Sequence, residues 1–349
     1  MRRVMKFAPV LLAGVLVMSA CGGDDDDTGG GASSPATTSN LKVGLAYDIG
    51  GRGDQSFNDA AAAGLDKAKT DFGIAEDNVN ELEASAGETD AQKEERLRQL
   101  AEGGYNPIIA VGFAYSGPLG NVAKDFPDVK FAIIDDAAAQ GANIANLTFA
   151  EHEGSFLVGA AAALKSTADH IGFVGGVDVP LIHKFEAGFM AGAKAVNPDI
   201  TIDSIYLTQP PDFTGFNDAA KGQTAADGMF DAGADVVYHA AGGSGGGVFT
   251  AAQEAGKMAI GVDSDQYNTA DPAVRDVIIT SMIKKVDTAV YDFIESVNTD
   301  QFKAGETVFD LEADGVGYST TGGKIDDIVP QLEEYKAKII SGEITVPSS

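Results

Sequence analysis

The chain is poor in the residues that carry redox, metal and nucleophilic chemistry. Across 349 residues it has one cysteine, four histidines and no tryptophan. A single cysteine, Cys21, rules out an intramolecular disulfide and a cysteine-rich zinc site. Positive charge is scarce too: 24 Lys and Arg stand against 52 Asp and Glu, for a formal net charge of −28. Such a chain repels phosphate backbones, and no basic stripe interrupts the acidity, which argues against a nucleic-acid partner. Beyond the first residues, no apolar run reaches the roughly 18 residues needed to span a bilayer. What remains is ordinary: 44% of residues are apolar, enough to build a core. At roughly 100–200 residues per domain, the length predicts two domains.

The N-terminus reads as an address. Arg2, Arg3 and Lys6 form a basic region, and residues 7–20 form an apolar stretch of signal-peptide length. It ends in Met18-Ser19-Ala20-Cys21-Gly22, which resembles a bacterial lipobox. Residues 1–20 are then a lipoprotein signal peptide, and Cys21 is the lipidated first residue of the mature chain. One acyl chain holds a membrane only marginally, so a stable anchor needs more than one. Residues 21–40, with Asp24 to Asp27 followed by Gly, Ser, Thr and Pro, read as a tether.

From Leu41 onward, short apolar strands alternate with helical stretches. Strands are predicted at 42–47, 107–111, 130–134, 171–175, 201–206, 236–239, 258–262 and 277–280. Helices are predicted at 57–71, 89–102, 152–164, 181–196, 216–232 and 284–297. This spacing points to βαβ units and an α/β fold with parallel sheets. The text also repeats. At an offset of 128, Gly44 falls on Gly172, Phe57 on Phe185, Gly64 on Gly192, Asp71 on Asp199 and Asp135 on Asp263. The expectation is two open, doubly wound, Rossmann-like lobes. Residues 41–146 plus about 264–300 would form the first lobe, and 147–263 plus about 301–345 the second.

Open parallel sheets bind ligands beyond the carboxyl ends of their strands. That places Asp48, residues 112–116 and Asp135 on one wall of a cleft. Asp178, residues 242–246 and Asp263 form the other, and 281–284 follow a returning strand. Gly242-Gly243-Ser244-Gly245-Gly246 matches a G-x-S-x-G nucleophile elbow. However, His152, His170, His183 and His239 all precede Ser244, against the hydrolase order. A glycine loop that brings backbone N–H groups to a ligand is the better reading. No Walker A or dinucleotide fingerprint follows a strand. Asp263-Ser264-Asp265 is too little for a metal site, and a strand-end carboxylate suits vicinal hydroxyls instead. Phe57 and Phe185, equivalent under the repeat, would clamp a flat ligand. Asn58 offers both donor and acceptor to its edge. Ser56 reads as a helix cap, and Lys284 reaches the cleft paired with Asp263 or Asp48.

Several segments in order carry a family resemblance. They are Tyr47-Asp48-Ile49-Gly50-Gly51, Asp54-Gln55-Ser56-Phe57-Asn58, Phe131-Ala132-Ile133-Ile134-Asp135 and Glu151-His152-Glu153-Gly154-Ser155-Phe156-Leu157-Val158-Gly159. Gly172-Phe173-Val174-Gly175-Gly176, Ile260-Gly261-Val262-Asp263-Ser264-Asp265-Gln266 and Thr280-Ser281-Met282-Ile283-Lys284-Lys285-Val286-Asp287 continue it. The chain resembles the basic membrane protein family, the nucleoside-binding lipoproteins of ABC importers. The resemblance implies a type I periplasmic-binding fold whose chain crosses several times between two hinged lobes. It implies a purine nucleoside between the lobes, an ABC permease as partner, a monomer, and neither cofactor nor catalysis. It implies that Phe57 and Phe185 stack on the base while Asn58 and Asp135 bond its edge. Asp263 and Lys284 would hold the ribose, Gly243 would donate from its backbone, and Asp48 would touch ligand or orient neighbours. Asp136 beside Asp135, and His183-Lys184 before Phe185, depart from the family pattern. A sugar or autoinducer-type ligand, or less favourably a nucleoside hydrolase, are the alternative readings.

Overall fold

The computed structural model describes residues 39–349. The signal segment, Cys21 and nearly all of the tether lie outside the described residues. In the first lobe the chain forms β1 (Val43–Ala46), α1 (Phe57–Phe72), β2 (Val79–Leu82), α2 (Asp90–Glu102), β3 (Ile108–Ala110), α3 (Ser116–Asp125), β4 (Phe131–Ile134) and β5 (Ile144–Phe149). It then runs through α4 (Glu151–Lys165), β6 (His170–Val177), α5 (Pro180–Val196), β7 (Thr201–Thr208), α6 (Ala219–Ala232) and β8 (Val236–Ala240). α7 (Gly245–Ala255), β9 (Met258–Asp263), α8 (Gln266–Thr269) and β10 (Ile278–Lys284) complete the second repeat. Last come α9 (Val286–Asn298), β11 (Gly305–Phe309), β12 (Val316–Tyr318) and α10 (Val329–Ile340). Among the described residues, no helix is long and apolar enough to cross a membrane.

Two six-stranded sheets result, ordered β11-β5-β4-β3-β1-β2 and β12-β10-β9-β8-β6-β7. All pairings are parallel except β12 against β10. β1, β3, β4 and β5 are buried along their whole length, as parallel strands covered by helices on both faces must be. In the first lobe, Leu45, Ile109 and Ile134 pack with α9 residues Val290 and Ile294 on one face. Leu97, Leu100 and Leu119 cover the other. In the second lobe, Phe173, Phe189 and Tyr238 fill one face, and Val237 and Phe249 belong to the other.

The sequence repeat has a packing cause. A Cβ on Gly64 would lie 2.3 Å from the Asp287 carbonyl oxygen of α9. One on Gly192 would lie 1.9 Å from the Phe156 carbonyl oxygen of α4. Each glycine lets its lobe's first helix press against the helix that follows a crossover. The offset of 128 matches β1 to β6, β3 to β8 and β4 to β9, but slips at β2/β7 and β5/β10.

The lobe boundaries differ from those expected. β10 pairs with β9 and lies in the second sheet, not in the first lobe's 264–300 segment. β11 pairs with β5 in the first sheet, not with the second lobe. The chain therefore crosses after Phe149, after Lys284 and after Phe309. Backbone pairing decides membership here, and a short strand's hydropathy does not reveal its neighbour. The predicted helix 284–297 starts later, at Val286, which leaves Lys284 on strand β10. The predicted helix 216–232 starts at Ala219, with Asp218 accepting the Lys221 N–H as its cap.

Candidate ligand-binding site

The carboxyl ends of strands from both sheets converge on one cleft. It encloses about 560 Å³ of non-atom space, its open mouth included. Asp48, Phe57, Asn58, Asp135, Phe185, Asp263 and Lys284 all line it. Gly243 stands one residue behind Gly242, which does line it. Asp178 does not; it turns to His183 Nε2 at 2.7 Å.

Lys284 is the centre of the arrangement. It is buried, and its Nζ donates to Asp135 Oδ2 at 2.6 Å and lies 3.4 Å from Glu151 Oε1. The same ammonium is 5.0 Å from the Phe57 and Phe149 ring centroids and 5.5 Å from that of Phe185. Burial alone would strip its proton, but the Asp135, Glu151 and Asp263 carboxylates outweigh burial and raise its pKa. Asp135 and Asp263 end equivalent strands, and both adopt left-handed backbone, with φ of 66° and 63°. Burial raises Asp135, with Lys284 opposing. Burial also pushes Asp263 up to about 6, against the pull of Lys284 and the Ser56 hydrogen bond. Asp48 rises to about 6 through burial, partly offset by the Ile49 N–H. Asp135 Oδ1 is buried with no partner among the described residues, a free acceptor. Its neighbour Asp136 faces away, accepting from Ser116 Oγ and the Ala138 and Ala139 N–H groups.

The loop between β1 and α1 corrects the expected cap and gives Asn58 local partners. Ser56 does not cap α1. Asp54 does so, accepting from the N–H groups of Ser56, Asn58 and Asp59. The Asn58 amide is already engaged: its Oδ1 accepts the Asp48 N–H at 3.0 Å, and its Nδ2 donates to Asp54 and to the Ile49 carbonyl. Asn58 thus shapes the pocket wall by holding the loop. Ser56 is instead an interlobe contact, its Oγ donating to Asp263 Oδ2 at 2.5 Å. Ser264 Oγ reaches the Ser56 carbonyl at 3.2 Å, and Gln266 Nε2 reaches that of Gln55 at 3.0 Å. Phe113 meets Phe213 edge-on at 6.1 Å, joining a first-lobe loop to a second-lobe loop. The lobes are closed on each other.

The other motifs have local partners. Ser244 Oγ donates to the Gly215 carbonyl and accepts the Asp218 N–H, each at 2.7 Å. His239 faces Gln266, and burial lowers its pKa to about 4. Asp263 and Asp265 diverge, the first to Ser56 and the second to Asn268 and Thr321. Phe113 falls in the cleft wall expected at residues 112–116, Asp54 and Glu151 stand in the family motifs without a role, and Phe216 was not singled out. For Glu151 a signal existed: it follows β5, the counterpart of the strand that ends in Lys284.

Two parallel α/β lobes closed over a buried polar cleft, with several chain crossings between them, define a binding protein of the type I periplasmic-binding fold. Residues 41–349 match the family model described as Bmp, ABC transporter substrate-binding protein PnrA-like. The chain belongs to this family, the basic membrane protein family that its motifs resemble. It is 36% identical over 354 residues to a CD4+ T-cell-stimulating antigen of Listeria monocytogenes, covering 97% of this chain and 96% of that one. It is 34% identical over 369 residues to the ABC transporter nucleoside-binding protein BmpA of Lactococcus lactis, covering 99% of both. A crystal structure of ABC transporter system solute-binding proteins from Aeropyrum pernix K1 superposes with a TM-score of 0.76 at 31% identity. That match covers 88% of this chain and 94% of the other.

Proposed function

We propose that this protein is a lipid-anchored, extracytoplasmic binding protein that captures a nucleoside, purine by preference, between its lobes and presents it to an ABC importer. The observation that carries this reading is the pairing of two aromatic walls with a buried set of charges. The rings of Phe57 and Phe185 both lie close to the Lys284 ammonium, and the carboxylates of Asp135 and Asp263 line the same cleft. A flat base suits the rings, and a ribose suits the charged groups. Stacking is worth roughly 1–3 kcal/mol per base. The free Asp135 Oδ1 accepts from the base edge, and Asp263 and Lys284 hold the ribose hydroxyls. The Gly243 backbone supplies a further donor, and Asp48 braces the loop that carries Phe57. The work is capture, not catalysis: Ser244, the one elbow-like serine, has its hydroxyl committed to backbone. Ligand that prefers the closed form pulls the lobes together, and the permease reads that form. Lipid at Cys21 tethers the protein, which acts as a monomer.

The test is calorimetry on the purified chain, stripped of co-purified ligand, with adenosine, guanosine, inosine, cytidine, uridine, adenine and ribose. Nucleosides should bind far more tightly than adenine or ribose alone. Asp263→Asn should weaken ribonucleosides more than free bases. Tighter binding of ribose than of any nucleoside would move the assignment to a sugar ligand, and product formation would revive a hydrolase.

A further inference from the structure

Glu151 and Lys284 both sit at chain crossings. Glu151 opens α4, two residues past the end of β5, and Lys284 ends β10 just before the chain returns to the first lobe. Glu151 is fully buried. Its Oε1 lies 3.4 Å from Lys284 Nζ, and its Oε2 accepts from Lys184 Nζ at 3.2 Å. A chain of charges thus runs from Lys184 on α5 through Glu151 and Lys284 to Asp135. Only its last link joins the two lobes. α4 packs beside α5 and β10, so Glu151 stays with Lys284 when the lobes part, and Asp135 leaves with the first lobe.

A buried ammonium that loses its counter-ion is costly to keep and readily sheds its proton. We propose that Glu151 is a positioning residue for ligand capture, a resident counter-ion that, with Asp263 on the neighbouring strand, keeps Lys284 charged and aimed into the open cleft before ligand arrives. Asp135 is then a further counter-ion, added on closure. The groups facing Lys284 are Asp135 after β4, Glu151 on α4, Asp263 at the end of β9, and the rings of Phe57, Phe149 and Phe185. Lys184 faces Glu151 from α5. The choice of a nucleoside as probe rests on the proposed function; the counter-ion role does not.

Glu151→Gln preserves shape and removes the charge. Lysine-selective 15N NMR of the unliganded full chain, with Lys284 assigned through Lys284→Arg, should show Lys284 titrating at lower pH in the Gln variant. Glu151→Asp, which keeps the charge, should restore most of the difference. Inosine affinity should fall in the Gln variant by a factor that grows with pH, roughly tenfold per unit of lost pKa once pH exceeds it. An unchanged Lys284 titration, with a loss of affinity equal at every pH, would overturn the proposal and leave Glu151 a structural residue. If the Gln variant does not fold, Glu151→Met, which also removes the charge at similar size, carries the test: Lys284 titrating at lower pH supports the role, and a wild-type titration overturns it. A lower Lys284 titration in a protein whose wild type ignores inosine would uphold the counter-ion and refute the nucleoside.

Discussion

Ser56 and Asp263 belong to different lobes, and the serine hydroxyl donates to Asp263 Oδ2 at 2.5 Å. The bond joins the start of α1 to the end of β9 and so ties the two lobes together across the cleft. It also fixes one oxygen of the carboxylate assigned to the ribose, leaving the other for ligand. Hydrogen bonds to charged groups contribute roughly 1.5–3 kcal/mol. Ser56→Ala should therefore lower nucleoside affinity roughly 10- to 100-fold, with little change in melting temperature. Small-angle scattering of the ligand-free variant should show a more open molecule. Unchanged affinity would mean that this bond does not contribute to closure.

The two clamp rings should behave differently when truncated. Phe185 is buried in the second lobe's core cluster, while Phe57 is only half-buried. Phe57→Ala should weaken nucleoside binding by roughly 1–3 kcal/mol with the fold intact. Phe185→Ala should weaken binding similarly and also lower the melting temperature, since a cavity opens beside Ile182 and Phe189. Wild-type affinity in Phe57→Ala, read by calorimetry, would dispose of the clamp.

Binding should release protons near pH 6. Asp48 and Asp263 are pushed up to about 6 by burial, so the empty fold holds their protons to higher pH than the unfolded chain does. Their contribution to stability is complete below the unfolded carboxyl value, roughly 3.9, and is lost as pH rises through about 6. The empty protein should thus gain stability from these two groups on acidification from neutrality. On the proposed site, ligand hydroxyls would donate to the ionised Asp263 carboxylate, so affinity should rise as pH climbs through the same window. Titrations in two buffers of different ionisation heat measure the protons released, and a result of zero at pH 6 would contradict this linkage.

Gly192→Ala should damage the fold without touching the site. The added carbon would lie 1.9 Å from the Phe156 carbonyl oxygen, so α4 and α5 must separate. Overpacking of this kind typically costs about 1–3 kcal/mol, which scanning calorimetry would register as a drop of several degrees. An unaltered transition would mean that the two helices have slack.

The α/β class, the repeat and most of the cleft were legible in the chain because each rests on local pattern. Strand periodicity marks β1, β3, β4, β6, β8 and β9, and the residue after a parallel strand faces the ligand side whichever neighbour the strand takes. Asp135, Asp263 and Lys284 followed from that rule, and Phe57 and Phe185 from their equivalence under the repeat, together with the family motifs. β2, β5, β11 and β12 escaped it; Val-Asn-Glu-Leu and Ile-Ala-Asn-Leu-Thr-Phe, for example, mix polar and apolar residues. With β5 went the signal for Glu151.

Tertiary structure alone decided three things. Hydrogen-bond pairing put β10 in the second sheet beside β9 and β11 in the first beside β5, because a strand's composition does not record which neighbour it takes. The β1–α1 loop chose Asp54 as the cap, spent the Asn58 amide on its own backbone and turned Ser56 across the cleft to Asp263. A side chain's polar atoms go to whatever donors and acceptors the fold brings near, and spacing does not record them. Above all, the charge of Lys284 depends on Asp135 and Glu151, which stand 149 and 133 residues away along the chain. Burial and ion pairing are properties of three-dimensional neighbourhood: the sequence supplied the lysine, and the folded cleft supplied its counter-ions.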